Sequence, residues 1–252
     1  MSNTSPTSAS PGTSSDPLNV KVWRGRAQGA FSDYQVPRQA SQTVLDVVTY
    51  IQRHLEPSLG YRFACRVGMC GSCAMTVNGK ARWSCRTHVS KVVDEQGSIE
   101  IAPLANLPVV KDLVCDMSTF FDKWAGAKGQ FKGTATRHET FAKVSPASPQ
   151  RAAANAGIEC IGCAVCYASC DVVGWRPDYL GPAALNRAWT LVNDVRDVQQ
   201  TERLRAVAGD AGCHSCHTQG SCTERCPKHL SPTFSIAGLK RRVAKAAVRG
   251  EL

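Results

Sequence analysis

Thirteen cysteines stand in the 252-residue chain, and eleven of them fall into three tight sets. The first, CRVGMCGSC (65–73) followed by Cys85, reads C-x4-C-x2-C-x11-C. This is the plant-type spacing for a [2Fe–2S] cluster, with Cys65, Cys70, Cys73 and Cys85 as its thiolates. A loop that wraps three thiolates around a small inorganic core needs small residues where the backbone comes close. Gly68, Gly71 and Ser72 supply them. The plainer alternative is a zinc site or buried free thiols, and four cysteines at this spacing in a β-rich frame argue against it.

The second set, CIGCAVCYASC (160–170), reads C-x2-C-x2-C-x3-C, and the third, from Cys216 to Cys226, repeats it with Gln219 where a cysteine is due. In two-cluster ferredoxins the fourth cysteine of each run serves the other run's cluster. Applied here, Cys160, Cys163, Cys166 and Cys226 hold one [4Fe–4S] cluster. Cys170, Cys216 and Cys222 remain for the second. Three thiolates suit a [3Fe–4S] cluster, with Gln219 at the open corner, because a neutral amide is a poor iron ligand. Of the two remaining cysteines, Cys115 is read as a small buried hydrophobe. Cys213 is read as a spectator thiol or a substitute ligand.

The elements that must position these residues are legible in outline. NVKVW (19–23) and SDYQV (32–36) read as a strand pair. TVLDVVTYIQRHL (43–55) puts Val44, Val48, Ile51 and Leu55 on one helical face, with Thr43 and Asp46 as a capping signal. Asn78-Gly79 between two alternating runs predicts a hairpin over 74–85, and SIEIAP (98–103) a further strand. After Pro108, Val110, Val114, Met117, Phe121 and Trp124 predict an amphipathic crossover helix carrying Cys115. Residues 127–147 read as a loop. Ser148-Pro149 opens an all-helical remainder.

The expected fold class is therefore α+β. The divisions are a disordered tail (1–18), a [2Fe–2S] ferredoxin-like domain (19–105), a crossover helix and linker (106–147) and a helical two-cluster domain (148–252). The tail lacks the features of a secretory signal or transit peptide, which predicts a cytoplasmic chain. No run approaches the roughly 18 apolar residues of a membrane span. The net charge of +10 favours an acidic partner, nucleic acid or an anionic membrane without choosing among them. A zinc or nucleic-acid-binding module would use that charge together with His214 and His217. No interleaved aromatic and basic surface supports it, so no nucleic-acid partner is expected.

Three cluster motifs in this order resemble the iron–sulfur subunit of succinate dehydrogenase and fumarate reductase. The stretches FACRVGMCGSCAMTVNGK (63–80), PLANLPVVKDLV (103–114), ECIGCAVCYASC (159–170) and CTERCPKHLSP (222–232) carry the likeness, which covers roughly residues 19–245. The resemblance implies a β-grasp domain followed by a bacterial two-cluster ferredoxin-like domain. It implies an electron wire through [2Fe–2S], [4Fe–4S] and [3Fe–4S] centres, with no acid–base catalysis in this chain. The implied partners are a flavoprotein subunit with FAD and a membrane-anchor subunit with quinone. The implied place is the cytoplasmic face of the bacterial inner membrane, as a peripheral subunit.

Gly174 and PDYLGPAAL (177–185) are similar to the fumarate reductase branch. Trp175 and His217 match succinate dehydrogenases, and Lys240 falls where the family keeps a lysine near the quinone. Trp175, His217 and Lys240 are carried over as quinone-proximal. The direction of catalysis stays open between the two branches. A related non-quinone oxidoreductase, thiol-linked or acting on 2-hydroxy acids, is the alternative. The basic C-terminal stretch LKRRVAKAAVRGEL (239–252) reads either as docking at the headgroup layer or as a solvated helix face.

Overall fold

The computed structural model describes residues 16–252. The expected disordered tail therefore lies mostly outside the described residues. Its last member, Leu18, is instead fully buried at the head of the first strand.

Strand β1 (Leu18–Gly25) buries Leu18, Val20 and Val22 and turns Asn19 and Lys21 outward, the period-two pattern of a half-buried strand. It pairs antiparallel with β2 (Gly29–Val36) and parallel with β5 (Ser98–Ala102). β3 (Ala74–Val77) and β4 (Lys80–Trp83) complete a five-stranded sheet in the order β2-β1-β5-β3-β4. The β3–β4 turn holds Asn78 at φ 47° and Gly79 at φ 70°, the left-handed pair that a tight hairpin demands.

Helix α1 (Val44–Tyr50) lies on the sheet, where Val44, Val47 and Val48 join Val20, Val22, Met75, Ile99 and Ile101 in one core. Its capping box is complete. Asp46 N–H donates to Thr43 Oγ1 at 3.2 Å, and Thr43 N–H donates to Asp46 Oδ2 at 3.0 Å. The expected face fails at its far end. From Ile51 to Leu55 the helix widens into a π-helical turn closed by Glu56 N–H to the Ile51 carbonyl at 2.7 Å. A wider turn rotates later side chains off the stripe, and Leu55 is left exposed.

The crossover helix expected from residue 108 is also corrected. Residues 109–115 form a small hairpin, β6 (Val109–Lys111) and β7 (Val114–Cys115), and only then does α2 (Ser118–Gly126) begin. Val110 is exposed, whereas Cys115 is buried on β7, its thiol 3.6 Å from the Leu104 carbonyl. The cause is Asp112, which sits at φ 50° in the hairpin turn with its side chain only 3% exposed. Its carboxylate accepts from Gly25 N–H at 2.9 Å, Gly60 N–H at 2.8 Å and Arg24 Nε at 3.1 Å. A continuous helix would forfeit all three contacts. Asp112 thereby ties the β1–β2 corner to Gly60, where the first cysteine loop begins.

Burial alone would raise the Asp112 pKa, but the Gly60 and Gly25 amides and the Arg24 guanidinium outweigh it and hold the carboxyl below its ordinary value. A depressed folded-state pKa gives stability that is present above the unfolded carboxylate value near about 4 and is lost as pH falls through the folded one. Asp112→Ala is expected to cost about 2–4 kcal/mol in urea unfolding at pH 7. The deficit should shrink in acid, and a pH-independent deficit would refute the assignment.

The rest is helical: α3 (Pro149–Ile158), α4 (Val165–Ala168), α5 (Asp171–Trp175), α6 (Pro182–Val192), α7 (Gln200–Val207), α8 (Ser221–Glu224) and α9 (Pro232–Val248). Ser148 caps α3 through Arg151 N–H at 3.2 Å, with Pro149 at the first helical position. α6 is buried along almost its whole length and is the axis on which α3, α7 and α9 pack. This core also takes Ala81, Leu104, Leu107, Cys115 and Phe120 from the first half of the chain, so the halves are packed together. Among the described residues no helix is long and apolar enough to cross a membrane.

Candidate metal centres

The first cysteine loop carries no regular structure between Gly60 and Cys73, so its backbone amides are free to turn inward. Met69, Cys70 and Val67 N–H approach Cys65 Sγ at 3.2, 3.3 and 3.5 Å, and Cys65 N–H approaches Cys70 Sγ at 3.5 Å. The Ser72 hydroxyl leads the interactions that lower the Cys70 pKa to about 6. Cys85 arrives on a 3-10 turn (Ser84–Arg86) just beyond β4. Ser84 N–H and Oγ both donate to the Cys73 carbonyl, at 3.1 and 2.9 Å, and so fix Cys85 beside the loop. Burial, then its contact with Cys73, pushes the Cys85 thiol up to about 11. Amides converging on sulfur and one thiol already primed to ionise fit an iron–sulfur group, whose ligands must be thiolates.

The second and third cysteine sets interleave. One cavity is lined by Cys160, Cys163, Cys166 and Cys226, with apolar walls from Ala164, Ala183, Leu230 and Pro232. Another is lined by Cys170, Cys216 and Cys222, with Gln219, His217 and Tyr179. The structure thus brings together the two groups that the swapping rule assembles, and it sets Gln219 among the second. Burial raises the thiols of Cys160, Cys170 and Cys222, pushes Cys163 up to about 12, and holds Cys166 well above its ordinary value. Neighbouring sulfurs add to this, Cys226 acting on Cys160 and Cys222 on Cys170. Thiolates this crowded and partly buried need compensating positive charge, which bound iron carries.

Among the described residues no three His, Cys, Asp or Glu side chains form a group fit for a single metal ion.

The first and second sets meet directly. A Cβ built on Gly71, between Cys70 and Cys73, would sit 2.5 Å from Cys163 Cβ and 2.9 Å from its Cα. Only a glycine lets the loops lie backbone to backbone here. Its φ of +73° is a second reason for that residue.

Of the carried-over residues, Trp175 ends α5 and is 68% exposed. His217 is exposed beside Cys216. Lys240, half-buried on α9, donates from Nζ to the Cys216 carbonyl at 2.7 Å. Cys213 is fully buried, its thiol raised to about 11 by burial and opposed by Lys240.

Two supporting residues escaped the sequence reading. Asn106, at φ 63°, donates from Nδ2 to the carbonyls of Tyr167 at 3.2 Å and Cys170 at 3.1 Å, holding the end of α4 from the first half of the chain. The signal was an asparagine in an irregular PLANLP stretch, since Asn tolerates a left-handed backbone. Tyr179 left no such signal.

Residues 19–122 match the family described as 2Fe-2S iron-sulfur cluster binding domain, and residues 159–231 match the 4Fe-4S dicluster domain. The chain is 35% identical over 242 residues to the fumarate reductase iron-sulfur subunit of Haemophilus influenzae, covering 90% of this chain and 93% of that protein. It is 35% identical over 213 residues to the mitochondrial succinate dehydrogenase [ubiquinone] iron-sulfur subunit 1 of Oryza sativa, covering 84% and 75%. A chain of the Mycobacterium smegmatis Sdh1 complex in the apo form superimposes with a TM-score of 0.80 at 28% identity, over 92% of this chain and 97% of that one. Two cluster-binding families in sequence, and relatives matched almost end to end, lead to one conclusion: the chain belongs to the fumarate reductase and succinate dehydrogenase iron–sulfur subunits.

Proposed function

We propose that the chain conducts electrons between an FAD-bearing flavoprotein subunit, where succinate and fumarate interconvert, and quinone held at a membrane anchor. The observation that carries this is the continuity of the cysteine groups, from the loop at Gly71 to Cys163 and on to the cavity of Cys170, Cys216 and Cys222. Cys65, Cys70, Cys73 and Cys85 would hold a [2Fe–2S] cluster in a β-grasp domain. Cys160, Cys163, Cys166 and Cys226 would hold a [4Fe–4S] cluster, and Cys170, Cys216 and Cys222 a [3Fe–4S] cluster, in a two-cluster ferredoxin-like domain. When bound, these groups supply one-electron redox chemistry at fixed points.

The chain's own residues set the environment. Apolar walls keep water from the second cysteine group, and backbone amides donate to the first. His217 lines the third cavity and Lys240 donates to the Cys216 carbonyl; these two and Trp175, at the exposed end of α5, would face the quinone. The protein would sit peripherally at the cytoplasmic face of the inner membrane, with the basic end of α9 toward anionic headgroups.

Gln219→Cys tests the ligand assignment. A fourth thiolate should convert the third centre toward [4Fe–4S], removing the three-iron EPR signal of the oxidised protein and slowing quinone reduction. Survival of an unchanged three-iron signal would show that the register is wrong or that Cys213 takes part.

A further inference from the structure

Tyr179 lies in the turn between α5 and α6, 1% exposed, and lines the cavity of Cys170, Cys216 and Cys222. A buried tyrosine hydroxyl normally finds a hydrogen-bond partner. Three of the other tyrosines do so through their hydroxyls. Tyr167 accepts from Lys123 Nζ at 2.8 Å, Tyr34 accepts from Arg24 Nη1 at 2.9 Å, and Tyr61 donates to Thr49 Oγ1 at 3.3 Å. Among the described residues the Tyr179 hydroxyl forms no hydrogen bond. Cys170, Cys216 and Cys222 line the same cavity as Tyr179. An O–H with no protein acceptor, on a residue that lines a cavity with three cysteines, has a natural acceptor in whatever those sulfurs bind. A second hydroxyl, on Thr233, already lies 3.5 Å from Cys222 Sγ, so the cavity wall offers sulfur more than one donor.

We propose that the Tyr179 hydroxyl donates a hydrogen bond to the group held by Cys170, Cys216 and Cys222 and thereby raises its reduction potential. The inference rests on the reading that these cysteines hold an iron–sulfur cluster. Hydrogen bonds to cluster sulfur favour the reduced, more negative state, because the donor dipole stabilises the added electron. Tyr179 is then a tuning residue that makes the last cysteine-held centre the better electron acceptor.

The test is Tyr179→Phe in the intact complex, a change that keeps the ring and removes only the hydroxyl. Redox titration followed by EPR should show the reduction equilibrium of this centre falling about tenfold, which is about 59 mV for a one-electron couple. The other two centres should not move. Pulsed EPR in deuterated buffer should lose an exchangeable deuteron coupled to the centre. Fluorotyrosine at position 179, a stronger donor, should move the potential the other way, which a purely packing role would not do. An unmoved potential in both variants, with the deuteron coupling retained, overturns the proposal. Absence of any cluster signal from this centre in the unsubstituted protein would instead sink the underlying ligand assignment.

Discussion

Gly71→Ala should destabilise the protein by about 2–4 kcal/mol and slow electron transfer from the first cysteine loop to the second set at least about tenfold. Two costs combine. An alanine at φ +73° pays about 1–2 kcal/mol for the left-handed backbone. Its Cβ would also stand 2.5 Å from Cys163 Cβ, a distance that real side chains do not tolerate. Relieving that overlap costs a further 1–3 kcal/mol, roughly, and moves one loop away from the other. Electron tunnelling falls steeply with distance, so a separation of an ångström or more is visible in rate even where the fold survives.

Gly79→Ala is the matched control. Gly79 has φ +70°, but a Cβ there meets nothing within 4 Å. It should pay the backbone cost alone and leave electron transfer untouched. Urea unfolding of both variants, with freeze-quench EPR of cluster reduction, separates the contributions. Equal stability losses, or wild-type transfer in Gly71→Ala, would mean that the close approach of the loops does not matter.

Arg203→Ala should be at least as damaging to stability, with a loss of about 3–5 kcal/mol. Arg203 on α7 and Asp197 are both completely buried and paired at 2.7 Å. The guanidinium also donates to the carbonyls of Lys128 at 2.9 Å and Gln130 at 2.9 Å, fastening the irregular segment after α2 to α7. Asp197 in turn accepts from Lys132 and Gln199 N–H at 3.0 and 2.9 Å. Removing the arginine strands a dry carboxylate and leaves two carbonyls without donors, so most of the cost is desolvation left uncompensated. The double variant Arg203→Met with Asp197→Leu should recover part of the loss, because it buries no orphaned charge. Thermal unfolding of the three variants checks this, with a fall in Tm on the order of 10 °C expected for the single change. A single-variant loss under about 1 kcal/mol would show the pair to be incidental.

Where the sequence reading held, the controlling interaction spans a few residues. Thr43 and Asp46 close their capping box three residues apart, and Asn78-Gly79 needs only its own φ angles to turn the chain. Ser148 and Pro149 start α3 in the same local way. Where the reading failed, a distant contact overruled a local pattern. Val110 and Val114 stand four apart, as on a helix, yet Asp112 between them answers to Gly25 and Gly60, residues 87 and 52 positions away. The apolar stripe of α1 likewise ended early, where the π-helical turn displaced Leu55.

The chemistry itself was written in one dimension. Iron–sulfur ligation demands thiolates at set intervals, so the cysteine spacing alone named the kind of site, and relatives bearing the same family name followed from it. Where those sites stand relative to one another was not so written. That Gly71 touches Cys163, that Asn106 holds the carbonyl of Cys170, and that Tyr179 lines the cavity of the third group all join residues about 60 to 90 positions apart or lying on separate elements. Such neighbours are chosen by the packing of α6 and the sheet as wholes, a sum over many small contacts that no short stretch of sequence contains.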